Sequence, residues 1–210
     1  MALDQALFEH TFSTGIATVR FYQWGELART VGYFHRFDPN DHKNGTRPVR
    51  RFTGGGVVDH GEDLTFVLNF PESSTTTAER YRWIHQCIVE ALAGAGFAAT
   101  LEKEARSSAG GLCFAQPVTS DIIDATGTKI GGGAQRRSQG SVIHQGSIRL
   151  PATLRDPQAG WIDHLIHGLA ECSDAINDDE RKHLEARTVT LTEEQFENSQ
   201  WNRWPRRGSL

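Results

Sequence analysis

The stretch RRFTGGGVVDHGEDLTFVLNFP, residues 50–71, sets three adjacent glycines between two arginines and an alternating apolar run. Leu64, Phe66, Leu68 and Phe70 recur at every second position, which predicts a half-buried strand with four apolar side chains on one face. Glycine loses more backbone freedom on folding than any other residue. Three together mark a place where something approaches the backbone, or where the backbone turns and a Cβ would collide. A strand pattern follows the glycines, so the segment is not a dinucleotide-type G-x-G-x-x-G loop opening a helix. It also lacks the Gly-Lys-Ser/Thr ending of a phosphate-cradling loop. Two readings stay open. The glycines let a ligand lie on bare backbone with Arg50 and Arg51 beside it to hold an anion or a carbonyl, or they form a bulged strand junction with solvated arginines.

Working outward, Leu3, Ala6, Leu7 and Phe8 give residues 2–12 the pattern of an amphipathic helix. ATVRFYQW (17–24) and ARTVGYF (28–34) read as two strands joined at Gly25 and Glu26. DPNDHKNGTRP (38–48) is dense in turn formers and reads as a surface loop. On the other side, Tyr81, Ile84, Cys87, Ile88, Ala91 and Leu92 predict a helix over 75–94, capped by Ser74 or Thr75. Cys87 falls on its buried stripe as a small hydrophobe. Short strands and glycine-rich turns are expected from 97 to 150, and helices beyond Pro151. Strands in the middle and helices at both ends, without regular alternation, predict an α+β fold: a mixed, largely antiparallel sheet flanked by helices.

The 210 residues are 38% hydrophobic and 23% charged, enough to build a packed core. Net charge is −4, which argues against a general nucleic-acid or anionic-membrane binder. The opening MALDQALFEHTF lacks the basic region of a signal peptide, and no run reaches the roughly 18 apolar residues of a membrane span. Cys87, Cys113 and Cys172 suit neither a disulfide framework nor a zinc site. The expected location is cytoplasmic.

Two further segments carry chemistry. In GTKIGGGAQRRSQGSVIHQGSI (127–148), Lys129 emerges beside glycines, where it can reach an acyl phosphate, an acyl adenylate or a thioester carbonyl as a point charge. The plain alternative is a solvated hairpin. In GGLCF, Cys113 sits among turn formers and becomes a nucleophile if Lys129 and nearby arginines favour its thiolate. The alternative there is a buried strand cysteine. Asp59, His60, Glu62 and Asp63 could be read as metal ligands, but adjacent strand positions point to opposite faces, so no metal is expected.

Together these segments resemble the lipoate–protein ligase and octanoyltransferase family over residues 1–150. MALDQALFE resembles its opening helix, VRFYQWGELARTVGYFHR its first hairpin, and RRFTGGGVVDHGEDLTFVLNFP its arginine–triple-glycine segment. KIGGGAQRR followed by IHQGSI resembles its lysine loop and the next strand. The resemblance implies a fold like that of biotin ligases and class II aminoacyl-tRNA synthetases. It also implies a single catalytic domain over 1–210, with a motif-bearing core (1–150), a helical part (151–210) and no separate accessory domain.

In such proteins an eight-carbon acyl chain lies beside the glycines. By resemblance Arg50, Gly54, Gly55, Gly56 and His60 line the pocket, and Lys129 holds the acyl carbonyl or activated phosphate. Gly132, Ala134 and Arg136 match the small and basic positions after the lysine. CFAQPVTSDIIDATGTK (113–129) resembles the nucleophile segment of the cysteine–lysine octanoyltransferase branch, although its run to the lysine is one residue longer. The implied function is transfer of an octanoyl or lipoyl group from an acyl carrier protein thioester, through a Cys113 acyl-enzyme, to a lysine of a lipoyl domain. Such an acceptor is glycine cleavage H protein or a dehydrogenase E2, with Arg136, Arg137 and Arg149 as candidate contacts, and no cofactor is required. The alternatives are a ligase using ATP and magnesium through lipoyl-AMP, and a non-catalytic relative that binds acyl groups or lipoyl domains.

Overall fold

The computed structural model describes residues 1–36, 47–104, 118–170 and 173–203. In chain order its principal elements are α1 (Ala2–Thr14), β1 (Thr18–Tyr22), β2 (Ala28–Val31), β3 (Val49–Arg50), β4 (Val57–His60), β5 (Asp63–Pro71) and α2 (Thr77–Gly94). They continue with β6 (Ala99–Leu101), β7 (Ile122–Asp124), β8 (Lys129–Ser138), β9 (Ser141–Arg149), α3 (Gly160–Leu169), α4 (Asp178–Leu191) and α5 (Ser199–Arg203). The expected α+β architecture is present. A six-stranded antiparallel sheet runs β1-β5-β9-β8-β7-β6, and a smaller mixed sheet runs β3-β2-β4.

The alternating run forms β5, but it is not half-buried. Leu64, Phe66 and Leu68 pack against Ile84, Ile88 and Leu92 of α2 and Trp161, Ile162 and Leu165 of α3. On the opposite face Val67 and Ile143 lie under Phe8 of α1. The alternation therefore distinguishes two covered faces, and the polar alternates Asp63, Thr65 and Asn69 are buried as well. Each fully buried apolar side chain contributes roughly 1.5–3 kcal/mol. β8 and β9 form the longest hairpin, closed by Gln139 (φ 53°) and Gly140 (φ 75°), both in the left-handed region a two-residue type I′ turn requires.

The expected hairpin between the first two strands does not form. β1 pairs with β5, from Thr18 opposite Asn69 to Tyr22 opposite Thr65, whereas β2 pairs with β3 and β4 in the other sheet. Trp24 anchors this crossing. Its indole N–H donates to Thr65 Oγ1 (2.9 Å), and its ring stacks on His60 at 4.5 Å. α2 starts later than predicted, because the capping box uses Thr76: its side chain accepts from the Glu79 N–H, and Glu79 reaches back to the Thr76 N–H. Cys87 is half-buried on that helix. The expected loop over 38–48 and Cys172 fall largely or wholly outside the described residues. Among the described residues no helix is long and apolar enough to cross a membrane.

Beyond α3 the chain packs back onto the amino terminus. Leu184, Leu191, Phe196 and Trp201 share a core with Ala2, Ala6, Leu7 and Tyr33. Arg50 closes this arrangement. Fully buried, it donates to the carbonyls of Gly32 (2.8 Å), Tyr33 (3.0 Å), His35 (2.8 Å), Trp201 (2.9 Å) and Asn202 (3.2 Å). The Asn202 carboxamide accepts from the Arg50 N–H, and the Trp201 indole donates to the Arg50 carbonyl. Hydrogen bonds to a charged group are each worth about 1.5–3 kcal/mol, and stranding the carbonyls costs more. Arg50→Met is therefore expected to destabilise the fold by about 3 kcal/mol or more, read as a lowered urea midpoint. An unchanged midpoint with lost activity would place Arg50 in the site instead.

Candidate active site

The two sheets face each other across a cleft of about 470 Å³, counting its open mouth. The smaller sheet and its glycine segment supply Arg51, Gly55, Val58 and His60, and Met1 closes one side. The large sheet supplies Thr65, Lys129, Gly132–Ala134 and Gln145–Ser147. Register explains the second set: Thr65, Ser147 and Gly132 are direct cross-strand partners and point to one face.

The glycine segment has two geometric demands. Gly55 adopts φ +90°, a left-handed conformation that L side chains rarely adopt. A Cβ on Gly32 would meet the Gly55 carbonyl oxygen at 1.9 Å, so the two backbones touch. Arg51 holds the segment in place, donating to the Gly54 (3.0 Å) and Gly56 (2.8 Å) carbonyls and to Thr30 Oγ1 (2.7 Å). Thr30 in turn contacts His60 Nε2 at 2.8 Å, and His60 Nδ1 lies 2.7 Å from Asp63 Oδ2. An ionised Asp63 only accepts, so Nδ1 carries a proton and donates it to the carboxylate. Burial alone would raise the Asp63 pKa. The hydrogen bond and charge of His60, with Ser147 and the Gly61 N–H, outweigh it and hold the carboxyl below its ordinary value.

Lys129 is the second polar centre. β7 and β8 slip register where Ile122 meets Gly131 and Ile123 meets Lys129, a bulge that leaves Ile130 in the apolar core and Lys129 on the cleft face. Its ammonium pairs with buried Asp121 at 2.7 Å. A Cβ on Gly132 would sit 2.9 Å from both Asp121 Oδ1 and Lys129 Cε, so glycine there makes room for the pair. The arrangement presents a positive charge, exposed backbone and a narrow trough to a substrate.

Of the expected residues, Gly55, His60, Lys129, Gly132 and Ala134 line the cleft. Arg50, Gly54, Gly56 and Arg136 are not in that lining. Arg50 is engaged as described above, and its neighbour Arg51 faces the cleft in its place. Arg136 lies over the Phe52 (4.0 Å) and Tyr33 (4.4 Å) rings and donates to the Phe52 carbonyl. Cys113 lies outside the described residues. Asp59, considered with His60 and Asp63 as a metal ligand, is engaged by Arg29 (2.5 Å and 2.9 Å). Asp121, Tyr81 and Thr30 were not singled out as site residues, since an aspartate before a strand and a tyrosine on a helix stripe look ordinary in sequence.

Behind Lys129 lie two fully buried imidazoles, His85 and His144, with ring centroids 5.3 Å apart. Burial, with Lys129 adding, lowers the His85 pKa to about 4 against the opposing pull of the Ser120 carbonyl and Asp121. Burial and then His85 lower that of His144 well below its ordinary value. Both are neutral in the fold and protonate more readily when unfolded. Their contribution is thus complete above about pH 6.5 and is lost as pH falls toward the folded values. Unfolding midpoints measured from pH 8 to 4.5 should decline below pH 6.5, by up to about 1.4 kcal/mol per pH unit per histidine, and His85→Gln should reduce that slope.

The lipoyl protein ligase A/B catalytic domain family matches residues 1–197, which takes in α3 and α4 of the helical part. The chain is 32% identical to the octanoyltransferase LipM of Geobacillus kaustophilus, over 92% of this chain and 76% of that one. It is 30% identical to the LipM of Staphylococcus aureus, over 94% and 79%. Its fold matches a lipoate-protein ligase A crystallised with ATP (TM-score 0.71, 23% identity, 98% of this chain and 93% of that one). It also matches the bi-partite lipoate protein ligase of Thermoplasma acidophilum, studied with its E2 lipoyl domain (TM-score 0.69, 20% identity, 100% and 92%). The family model spans residues 1–197, and two relatives at 30% identity or more align over more than nine-tenths of the chain: it belongs to the lipoyl protein ligase A/B catalytic domain family.

Proposed function

We propose that this protein transfers an octanoyl group from a carrier-protein thioester to a lysine of a lipoyl domain, through an acyl-enzyme on Cys113. The observation that carries the reading is its match, over more than nine-tenths of its length, to two relatives named as octanoyltransferases. The cleft gives physical support: glycine and alanine leave space for an unbranched chain, and Lys129 offers a positive charge beside it.

In this mechanism the Cys113 thiolate attacks the thioester carbonyl. The developing oxyanion is stabilised by the Lys129 ammonium and backbone N–H groups, and the C–S bond to the carrier breaks as the carrier thiol leaves with a proton. The uncharged amine of the acceptor lysine then attacks the enzyme thioester. An amide forms, the amine's proton is lost and the Cys113 thiolate is regenerated. The acyl chain occupies the trough beside Gly55, Gly132 and Ala134, with His60 in the wall. No cofactor takes part in this route. The whole described chain acts as a single catalytic domain, and the acceptor is a lipoyl domain of the E2 or H-protein kind.

Intact-mass analysis with octanoyl carrier protein and a lipoyl domain, without ATP, tests this directly. One octanoyl group is expected first on the enzyme and then on the acceptor, with both lost in Cys113→Ala. Lys129→Ala should lower kcat by roughly 10²–10³. Transfer that requires free lipoate with ATP and magnesium, and survives Cys113→Ala, would make the protein a ligase. Binding without any turnover would make it a non-catalytic relative.

A further inference from the structure

Helix α2 carries two polar side chains toward the Lys129 pair. Tyr81 and His85 are one turn apart and share a face. The Tyr81 hydroxyl donates to Asp121 Oδ1 (2.6 Å) and accepts from the Gly133 N–H (2.9 Å). That N–H lies on the flank of β8 where pairing with β7 has already stopped at Gly131, so the hydroxyl takes the place of the missing strand. His85 Nδ1 lies 2.7 Å from the Ser120 carbonyl and donates to it. Ser120 has φ +68°, an uncommon conformation for a residue other than glycine, and directly precedes Asp121. Asp121 also accepts from the Val118 N–H (2.7 Å). The carboxylate is thereby gripped on Oδ1 by α2 and on Oδ2 by its own turn, and the same Oδ2 meets the Lys129 ammonium at 2.7 Å.

From this we infer that Tyr81, His85 and Asp121 are positioning residues: α2 fixes the carboxylate, and the carboxylate fixes where the Lys129 ammonium sits relative to the reacting carbonyl. A phenylalanine at 81 would fill the same ring space but would lose the hydroxyl that holds Asp121 and Gly133. The fixture also constrains the Gly133 backbone beside the cleft, so the trough and the charge are set by one helix. A lysine on a flexible side chain gains most from such a clamp, because an error of about 1 Å in placing a catalytic group can cost 10²-fold in rate.

The inference rests on the acyl-transfer reading of Lys129, and one experiment separates the two. Rapid-quench mass analysis with octanoyl carrier protein gives both the rate constant and the amplitude of acyl-enzyme formation for wild type, Tyr81→Phe, Asp121→Asn and Lys129→Ala. The expected result is a rate constant reduced about tenfold in Tyr81→Phe and about a hundredfold in Asp121→Asn, with full amplitude and unchanged KM. Full amplitude shows that every molecule remains folded and competent, which a merely structural role would not preserve. Wild-type rate constants in both variants, or amplitudes that fall while the rate constant holds, would overturn the positioning role and leave the reading of Lys129 intact. Wild-type kinetics in Lys129→Ala, or no acyl-enzyme in the wild type, would overturn both.

Discussion

A guanidinium buried among carbonyl oxygens is the constraint on which the arrangement depends. Arg50 binds the Gly32–His35 turn on one side and the Trp201–Asn202 helix on the other. Its neighbour Arg51 then has no choice of direction, since successive side chains on extended backbone point to opposite sides. Arg51 is thereby aimed at the Gly54 and Gly56 carbonyls and at Thr30. The two arginines divide the work: one ties the far end of the chain to the small sheet, and the other shapes the wall of the cleft.

That wall meets a large sheet whose cleft-facing residues are small. Close approach of two backbones is possible at Gly32 and Gly55 because neither carries a Cβ, and the Lys129–Asp121 pair has room because Gly132 does not either. The charged groups around the cleft are held by partners. Asp63 is held by His60, Ser147, Thr65 and the Gly61 N–H, and Asp121 by Lys129, Tyr81 and the Val118 N–H. A carboxylate taken out of water is tolerable only with such company. The same bonds leave the two centres little freedom to move, which suits a site that must present charge at a fixed place.

Several features were legible in the residues. The alternation from Leu64 to Phe70 located the strand at the heart of the large sheet, the three- and four-residue spacing located α2, and the glycine clusters located both walls of the cleft. Other features were not. The sequence around Gly25 looks like a hairpin turn, yet β1 and β2 belong to different sheets, because pairing of β1 with β5 satisfies its backbone and Trp24 is drawn onto His60 and Thr65. Adjacent arginines are indistinguishable on paper, and only the fold separates Arg50 from Arg51. Tyr81 reads as one more member of an apolar stripe, since nothing local announces a hydroxyl partner 40 residues away at Asp121.

The sequence by itself determined the class of fold and the segments that form the cleft, because periodicity and glycine placement are local properties that act through backbone sterics, and the resemblance of its motifs pointed to the family. Tertiary structure alone decided which side chains share that cleft. The Lys129–Asp121–Tyr81 and Asp63–His60–Thr30–Arg51 chains join residues from separate strands and helices. Their contacts depend on sheet order, on a single bulge and on the burial of one charge. Such contacts arise from the cooperative packing of distant segments, which no window of neighbouring residues encodes.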